Sequence, residues 1–546
     1  MKNATLKRIC SLLLAVLLLA GMLGCAAKDP AAPAEDNTPA ENTPKDPAPE
    51  QNDAPAEEEA QEPVVLEWYY AGNGIQKDTQ KIEDRVNELL KDYEGLEHVQ
   101  IHLNCIARDD YAQQILLNQT AGKQMDIIHC YRLNYADEIN NGTYLALDDM
   151  LATDEFADLR NELPQWLWET LQVNGQTYIV PGYQMAATDR YLIVPTEYMQ
   201  YADADVLNSI ELSDAASVTA LCDQIEKITK SVIEATGMEK YAMPLGEGIA
   251  LTNTYIQKDI LEGGSGTIVP VGSTEVTNVY MTDAFKEACR IAAKWVEEGL
   301  LPSDAAVRDV SKWENGYLTS DQACAVATAQ TTGDNELVGT LRTAADGYDV
   351  TAIKLHEHYF IQRGWGAGGN GVTATCEHPV EALRFLQAIN TEKGKEIYNT
   401  IVYGLEGVHY EKLDDNHIKT LEYDGTQGGT DTSYAAWKWV IGNTKYVYLN
   451  QACTDNDAAI TADINDNPEN PSSKLMGFVL DLEPVSTQVA QCAAVVTEYR
   501  PALTWGSKGA EWEAYYEEFI DKLQLAGAQE IIDEVQSQID AWLSQK

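Results

Sequence analysis

Eleven Trp and 28 Tyr stand against six Phe among the 546 residues. Tyr and Trp pair an apolar face with a hydrogen-bonding edge. A carbohydrate needs both, because its C–H faces stack on rings while its hydroxyls take planar polar partners. Any single ring more often fills a core or a rim, so position has to decide. Trp68, Tyr69 and Tyr70 end a strand-like run and lead into Gly72-Asn73-Gly74, a tight turn. Trp313 shares a segment with Asn315 and Gly316, and Trp365 sits inside the glycine-rich RGWGAGGNGV (363–372). Asp109 and Asp110 begin a helical stretch. They serve there either as N-cap residues or as acceptors for sugar hydroxyls.

Other chemistries fit less well. AGNG (71–74) lacks the spacing and the Lys-Ser/Thr of a phosphate-binding loop, so no nucleotide is implied. His356 and His358 would share one face of a strand, but no third ligand and no HExxH motif accompany them. DINDNPENPSSK (463–474) begins like a calcium loop, yet Pro468 stands where glycine is needed and Lys474 where glutamate is needed. It reads as a polar surface loop. GxSxG is absent, and with 86 acidic residues carboxylate pairs arise by chance, so they identify no hydrolase. No cofactor, metal or catalytic residue is expected. The net charge of −48 repels phosphate backbones and argues against a nucleic-acid partner. Ten scattered cysteines form no CxxC cluster and read as buried thiols, with a disulfide left open.

These residues must be positioned by elements. VVLEWYY (64–70), HVQIHLNCI (98–106) and MDIIHCY (125–131) are strand-like, and 75–93 and 109–122 are helical by the spacing of their apolar residues. The β-α-β-α-β order predicts an α/β lobe with a largely parallel sheet, with ligands at the carboxyl ends of the strands. Those ends carry Tyr69 to Asn73, Ala107 to Asp110, and Cys130 with Tyr131. Helices are expected at 218–237, 283–300, 380–390, 510–525 and 527–544. Strand-like runs are expected at 323–329, 348–355 and 477–485.

Several phrases resemble the family 1 extracellular solute-binding proteins of ABC importers. NGTYLALDDML (141–151), VNGQTYIVPGYQ (173–184), DRYLIVPTEYM (189–199), WVEEGLLPSDAA (295–306) and HPVEALRFLQAINTEKGKEIYNTIVYGLEGVHY (378–410) carry the likeness in order. The tail from GFVLDLEPV onward is similar to a Gram-positive lipoprotein subgroup whose C-terminal domain has no known function. The resemblance covers about residues 63–546. It implies a two-lobed α/β fold of the periplasmic-binding-protein type, with crossovers near 185–194, 360–372 and 425–435. Lobe 1 would comprise 63–190 plus 365–430, and lobe 2 191–364 plus 431–546. Tyr183 then falls beside the first crossover. Trp437 and Trp439 precede Gly442-Asn443, which resembles a phrase of the same subgroup. The expected ligand contacts are Trp68, Tyr70, Asn73, Asp109, Tyr183, Trp313, Trp365, Trp437, Trp439 and Asn443.

Ahead of this body, Lys2, Lys7 and Arg8 precede an apolar run from Ile9 to Leu23, too short for a comfortable span. Met22-Leu23-Gly24-Cys25 resembles a lipobox, with Met22 and Leu23 in place of its usual residues. This implies a signal peptide over 1–24 and lipidation of Cys25. Residues 26–62, rich in Pro, Ala and acids, cannot bury enough surface to fold. They are expected to form a disordered leash, roughly 35 Å across as a flexible coil. The implied protein is monomeric and held on the outer face of the membrane by its lipid alone. It would capture an oligosaccharide by lobe closure and pass it to the transmembrane subunits of a permease. A secreted glycan-processing enzyme and a peptide-binding protein are the alternatives.

Overall fold

A computed structural model describes residues 63–546, apart from 243–257, 303–323, 329–348, 361–367, 422–433, 451–455 and scattered single or paired positions. The chain opens with β1 (Val64–Gly72), α1 (Thr79–Leu90), β2 (Val99–Ala107), α2 (Tyr111–Thr120), β3 (Ile127–His129) and β4 (Val180–Pro181). β1 pairs in parallel with β2 and with β3. It is covered on both faces, and its side chains are therefore almost continuously buried. β2 lies at the edge and alternates instead, with Val99, Ile101 and Leu103 inward and Gln100 and His102 outward. α1 buries the stripe Ile82, Val86 and Leu90 against this sheet.

The chain then passes through β5 (Ala187–Thr188) into β6 (Tyr191–Pro195), α3 (Ala215–Thr236), the hairpin strands β7 (Lys258–Glu262), β8 (Thr267–Pro270) and β9 (Thr277–Asn278), and α4 (Asp283–Glu297). Strands β10 (Val326–Thr328) and β11 (Val350–Lys354) flank β6, both antiparallel to it. α3 and α4 pack against this second sheet, α3 burying Val218, Leu221, Ile225 and Val232. Asp214 and Ser217 close a capping box at the start of α3, and Gly237 ends it with φ +66°.

β12 (Tyr359–Phe360) carries the chain back, and β13 (Gly369–Val372) inserts antiparallel between β3 and β4. Both crossovers thus lie side by side, joined as the two-stranded β5–β12 pair. α5 (Pro379–Asn390) and α6 (Lys395–Tyr403) return to the first core, followed by β14 (Tyr410–Lys412), β15 (His417–Thr420) and β16 (Leu449–Asn450).

Residues 434–450 correct the expected lobe boundary at 430/431. Tyr434, Val440, Ile441 and Tyr446 lie in the core of the first sheet, and β16 pairs with β15. Gly442 fits only because it has no side chain, since a Cβ there would meet the Ile389 carbonyl oxygen at 2.3 Å. The next described helix is α7 (Asn456–Asn465), and most of the expected crossover at 425–435 lies outside the described residues.

The tail forms α8 (Ser486–Thr504), α9 (Trp512–Leu525) and α10 (Ala528–Leu543), which share a core with α4, β7 and β8. The run 477–485 forms no strand. Phe478 and Leu480 are buried against these helices, so its alternation reflects helix packing without a strand neighbour. Seven described cysteines stand outside any disulfide, six of them buried. Burial pushes the Cys105 thiol up to about 11 and the Cys376 thiol up to about 12. No described helix is long and apolar enough to cross a membrane.

Candidate functional site

The carboxyl ends of β1 and β3 converge on one group of half-buried aromatic rings. Trp437 and Trp439 stack with centroids 5.3 Å apart and planes 18° apart. Tyr131, two residues past the end of β3, meets Trp437 edge-on at 6.0 Å and Trp439 at 5.5 Å. Together the three make a corner with one flat wall and one edge, a shape suited to the C–H face of a ring-shaped polar ligand.

The turn after β1 fixes that wall. Asn73 accepts from the Trp437 indole N–H at 3.2 Å and donates to the Ala435 carbonyl at 3.1 Å. Gln76 brackets the same backbone, donating to the Ala435 carbonyl at 2.9 Å and accepting its N–H at 3.2 Å. Gly72 allows the close approach, since a Cβ there would meet Cys105 Sγ at 2.7 Å. On the opposite flank Gly182 runs against the Trp439 carbonyl, and the Tyr183 carbonyl accepts from both the N–H and the hydroxyl of Thr444 at 2.9 Å. The site and the first crossover are therefore one connected structure.

Beneath the rings lies His129, fully buried. Its Nδ1 accepts the Tyr131 N–H at 3.1 Å, so the ring holds the backbone that carries Tyr131. Tyr111 donates to the carbonyls of His129 at 2.6 Å and Tyr69 at 3.2 Å, tying β3 to β1 at the same level. Burial without a charged partner pushes the His129 pKa down to about 3, and the imidazole is neutral.

Of the expected contacts, Asn73, Tyr183, Trp437 and Trp439 are gathered here. Trp68, Tyr70 and Asn443 are corrected to core positions. Trp68 is fully buried, with its indole N–H donated to Asn370 at 2.9 Å, and Tyr70 is enclosed with Tyr434 in the same core. Their positions inside a doubly covered parallel strand leave no face for a ligand. Asn443 is also buried. It accepts the Lys445 N–H at 3.0 Å and donates to the Asn390 carbonyl at 3.3 Å, closing the turn that follows the tryptophans. Asp109 is exposed ahead of α2, with its carboxylate 3.8 Å from Arg108. Asp110 occupies the N-cap position without a side-chain cap bond. Trp313, Trp365 and Cys25 lie outside the described residues. His356 is buried in the second lobe, its Nδ1 2.8 Å from the Glu357 carbonyl, and His358 lies outside the described residues.

Tyr131, Gln76 and His129 were not among the expected contacts. The strand-end rule reached Tyr131 as a position but did not rank it above its neighbours. Gln76 and His129 act through partners far away in sequence and leave no local signature.

Comparison with known proteins agrees with this architecture. Residues 474–544 match a family model described as a domain of unknown function, DUF3502. A relative from Streptococcus pneumoniae serotype 4 (strain ATCC BAA-334 / TIGR4), described as a carbohydrate ABC transporter substrate-binding protein, is 22% identical over 475 residues, covering 85% of this chain and 89% of the relative. Among solved structures, the N-glycan transport solute-binding protein NgtS from Streptococcus pneumoniae superposes with a TM-score of 0.70 at 19% identity, over 88% of this chain and 99% of that one. An extracellular solute-binding protein from Bifidobacterium longum subsp. infantis superposes with a TM-score of 0.55 at 14% identity, over the same share of each chain. The resemblance carried by the sequence phrases therefore holds: the chain is similar over most of its length to a carbohydrate ABC transporter substrate-binding protein, shares the fold of solved solute-binding proteins, and carries a DUF3502 match near its C-terminal end.

Proposed function

We propose that this protein is the lipid-anchored, extracellular receptor of an ABC importer for an oligosaccharide. It captures the glycan between its lobes and delivers it to the permease. The observation that carries the sugar reading is the Tyr131–Trp437–Trp439 corner at the strand ends, braced by Asn73. Stacked indoles offer affinity to C–H faces without requiring charge, which suits a neutral polyhydroxylated ligand. The relatives support the same class, since structures of NgtS hold Man1GlcNAc and Man5GlcNAc. The proposed contacts on the first lobe are Asn73, Asp109, Tyr131, Tyr183, Trp437 and Trp439. Trp313 and Trp365 are proposed to contact the ligand from their own segments.

The mechanism needs no covalent step. Ligand that touches both lobes favours the closed form by its differential affinity for that state. Cys25, at the end of the apolar leader, is the proposed point of lipidation.

Titration calorimetry against a panel of glycans that includes Man1GlcNAc and Man5GlcNAc tests the ligand class. A saturable heat with at least one glycan is expected. Silence across the panel together with binding of a peptide would overturn the sugar assignment. For the anchor, Cys25→Ala should release the protein from the membrane fraction into the medium. Unchanged membrane retention would refute lipidation at that residue.

A further inference from the structure

Ten residues directly ahead of the DUF3502 domain grip both crossovers. At one end stands Asn465, the last residue of α7, which is buried. Its Nδ2 donates to the Gln184 carbonyl at 2.9 Å, and its Oδ1 accepts the Ala186 N–H at 2.9 Å. Gln184 follows Tyr183, whose carbonyl accepts from Thr444 beside the ligand corner. Ile464 beside it packs on Ala186, Ala187 and Trp166.

At the other end Ser473 donates to Asp259 Oδ2 at 2.5 Å. The Tyr359 hydroxyl of β12 donates to that same oxygen at 3.1 Å. Asp259, Tyr359 and Ser473 are all buried, and Tyr359 pairs with Thr188 of β5. Between the two grips, Asn470 donates to the Ile464 carbonyl at 2.9 Å and folds the segment back on itself. DUF3502 begins at the next residue, 474. It is seated on the second lobe through the core around α4, where Tyr516 donates to the Tyr280 carbonyl at 3.0 Å.

A crossover has to change backbone angles when lobes close. Side chains bonded to its amides and carbonyls fit one setting of those angles better than another. A carboxylate that accepts two buried hydroxyls is a stiff anchor for the same reason. We propose that residues 464–473 are a clasp on the hinge. Asn465 and Asp259 are its positioning residues, Tyr183 links it to the ligand corner, and DUF3502 is the frame that holds it. This proposal rests on the lobe-closure reading but not on the identity of the ligand.

The test uses the ligand-free full chain, so a protein that bound no glycan would still give a result. In the unaltered protein, the amides of Ala186, Tyr359 and Leu475 should exchange hydrogen as one opening unit, because one clasp covers all three. In Asn465→Asp, which keeps the acceptor for Ala186 and loses the donor to Gln184, exchange at Ala186 should rise at least tenfold. The radius of gyration in solution scattering should shift as well. Asp259→Asn should loosen Tyr359 and Leu475 in the same way. Independent opening of the three amides in the unaltered protein overturns the clasp. So do crossover exchange and scattering in both variants that match the unaltered chain.

Discussion

Trp437 and Trp439 differ from Trp68 in what surrounds them, not in what they are. The first two are half-buried and face Tyr131, while the third is sealed in the core with its N–H on Asn370. Trp439→Ala should therefore weaken glycan binding by about 10–100-fold, the worth of one large apolar face, with a small change in melting temperature. Calorimetry beside a thermal melt checks this. Trp68→Phe should do the reverse, costing about 1–3 kcal/mol of stability for the unpaired Asn370 while leaving affinity near that of the unaltered protein. Urea unfolding at fixed pH reads that cost. His129 adds a dependence on acid. Its native pKa of about 3 lies below the value of about 6.5 expected in the unfolded chain, so the unfolded state binds a proton that the native state refuses. Stability from this group is complete above about pH 6.5 and is lost as pH falls toward 3, at up to about 1.4 kcal/mol per pH unit. His409 is also shifted down by burial, and it adds loss of the same sign below pH 6.5. Urea midpoints at pH 7 and pH 5 should therefore differ, and His129→Asn should shrink that difference. Residue type was legible in the sequence, and the aromatic bias led to the class of side chain that is gathered at the strand ends. Burial was not legible, because Trp68 owes it to β3, β13 and α5, which come 59 to more than 300 positions later.

Local pattern located most of the elements. The stripe Ile82, Val86 and Leu90 placed α1, and the alternation Val99, Ile101, Leu103 placed β2, since each period is a property of the segment itself. The run 477–485 misled because alternate burial needs only a partner on one side, and here that partner is helical. The placement of 434–450 was also hidden. It depends on Gly442 and Asn443 docking on the last residues of α5, a fit of backbone to backbone that no periodicity encodes. Gly442→Ala tests that fit. Its Cβ would meet the Ile389 carbonyl, so the expected cost is about 1–3 kcal/mol in chemical denaturation. Glycan affinity should fall with it, because the same turn carries Trp439. A variant with native stability and weakened binding would show instead that the turn serves the ligand alone.

At the scale of the whole molecule, the resemblance supplied two lobes, and the structure supplied how the chain is shared between them. Three crossings were expected, and the first two lie where β5 meets β12. The third, expected at YDGTQGGTDT (423–432) from its glycines, lies outside the described residues, while Tyr434, Val440, Ile441 and Tyr446 just after it pack in the first core. β1 has a consequence for the proposed anchoring. It starts at Val64, where the leash joins, and ends nine residues later at the turn that braces Trp437. At about 3.3 Å per residue the two points stand about 30 Å apart. For the anchored receptor proposed above, the strand is thus a ruler, with mooring expected at one end and capture at the other. On that proposal, presenting the capture end to a membrane partner would require the expected leash to reach back over the same length. A relaxed coil of 37 residues spans roughly 35 Å and reaches several times that when drawn out, at about 3.3 Å per residue, whereas a leash of a few residues would not cover the turn. Deleting residues 31–60 should leave solution affinity unchanged and abolish uptake by cells, and equal uptake with the short leash would show that the body need not turn.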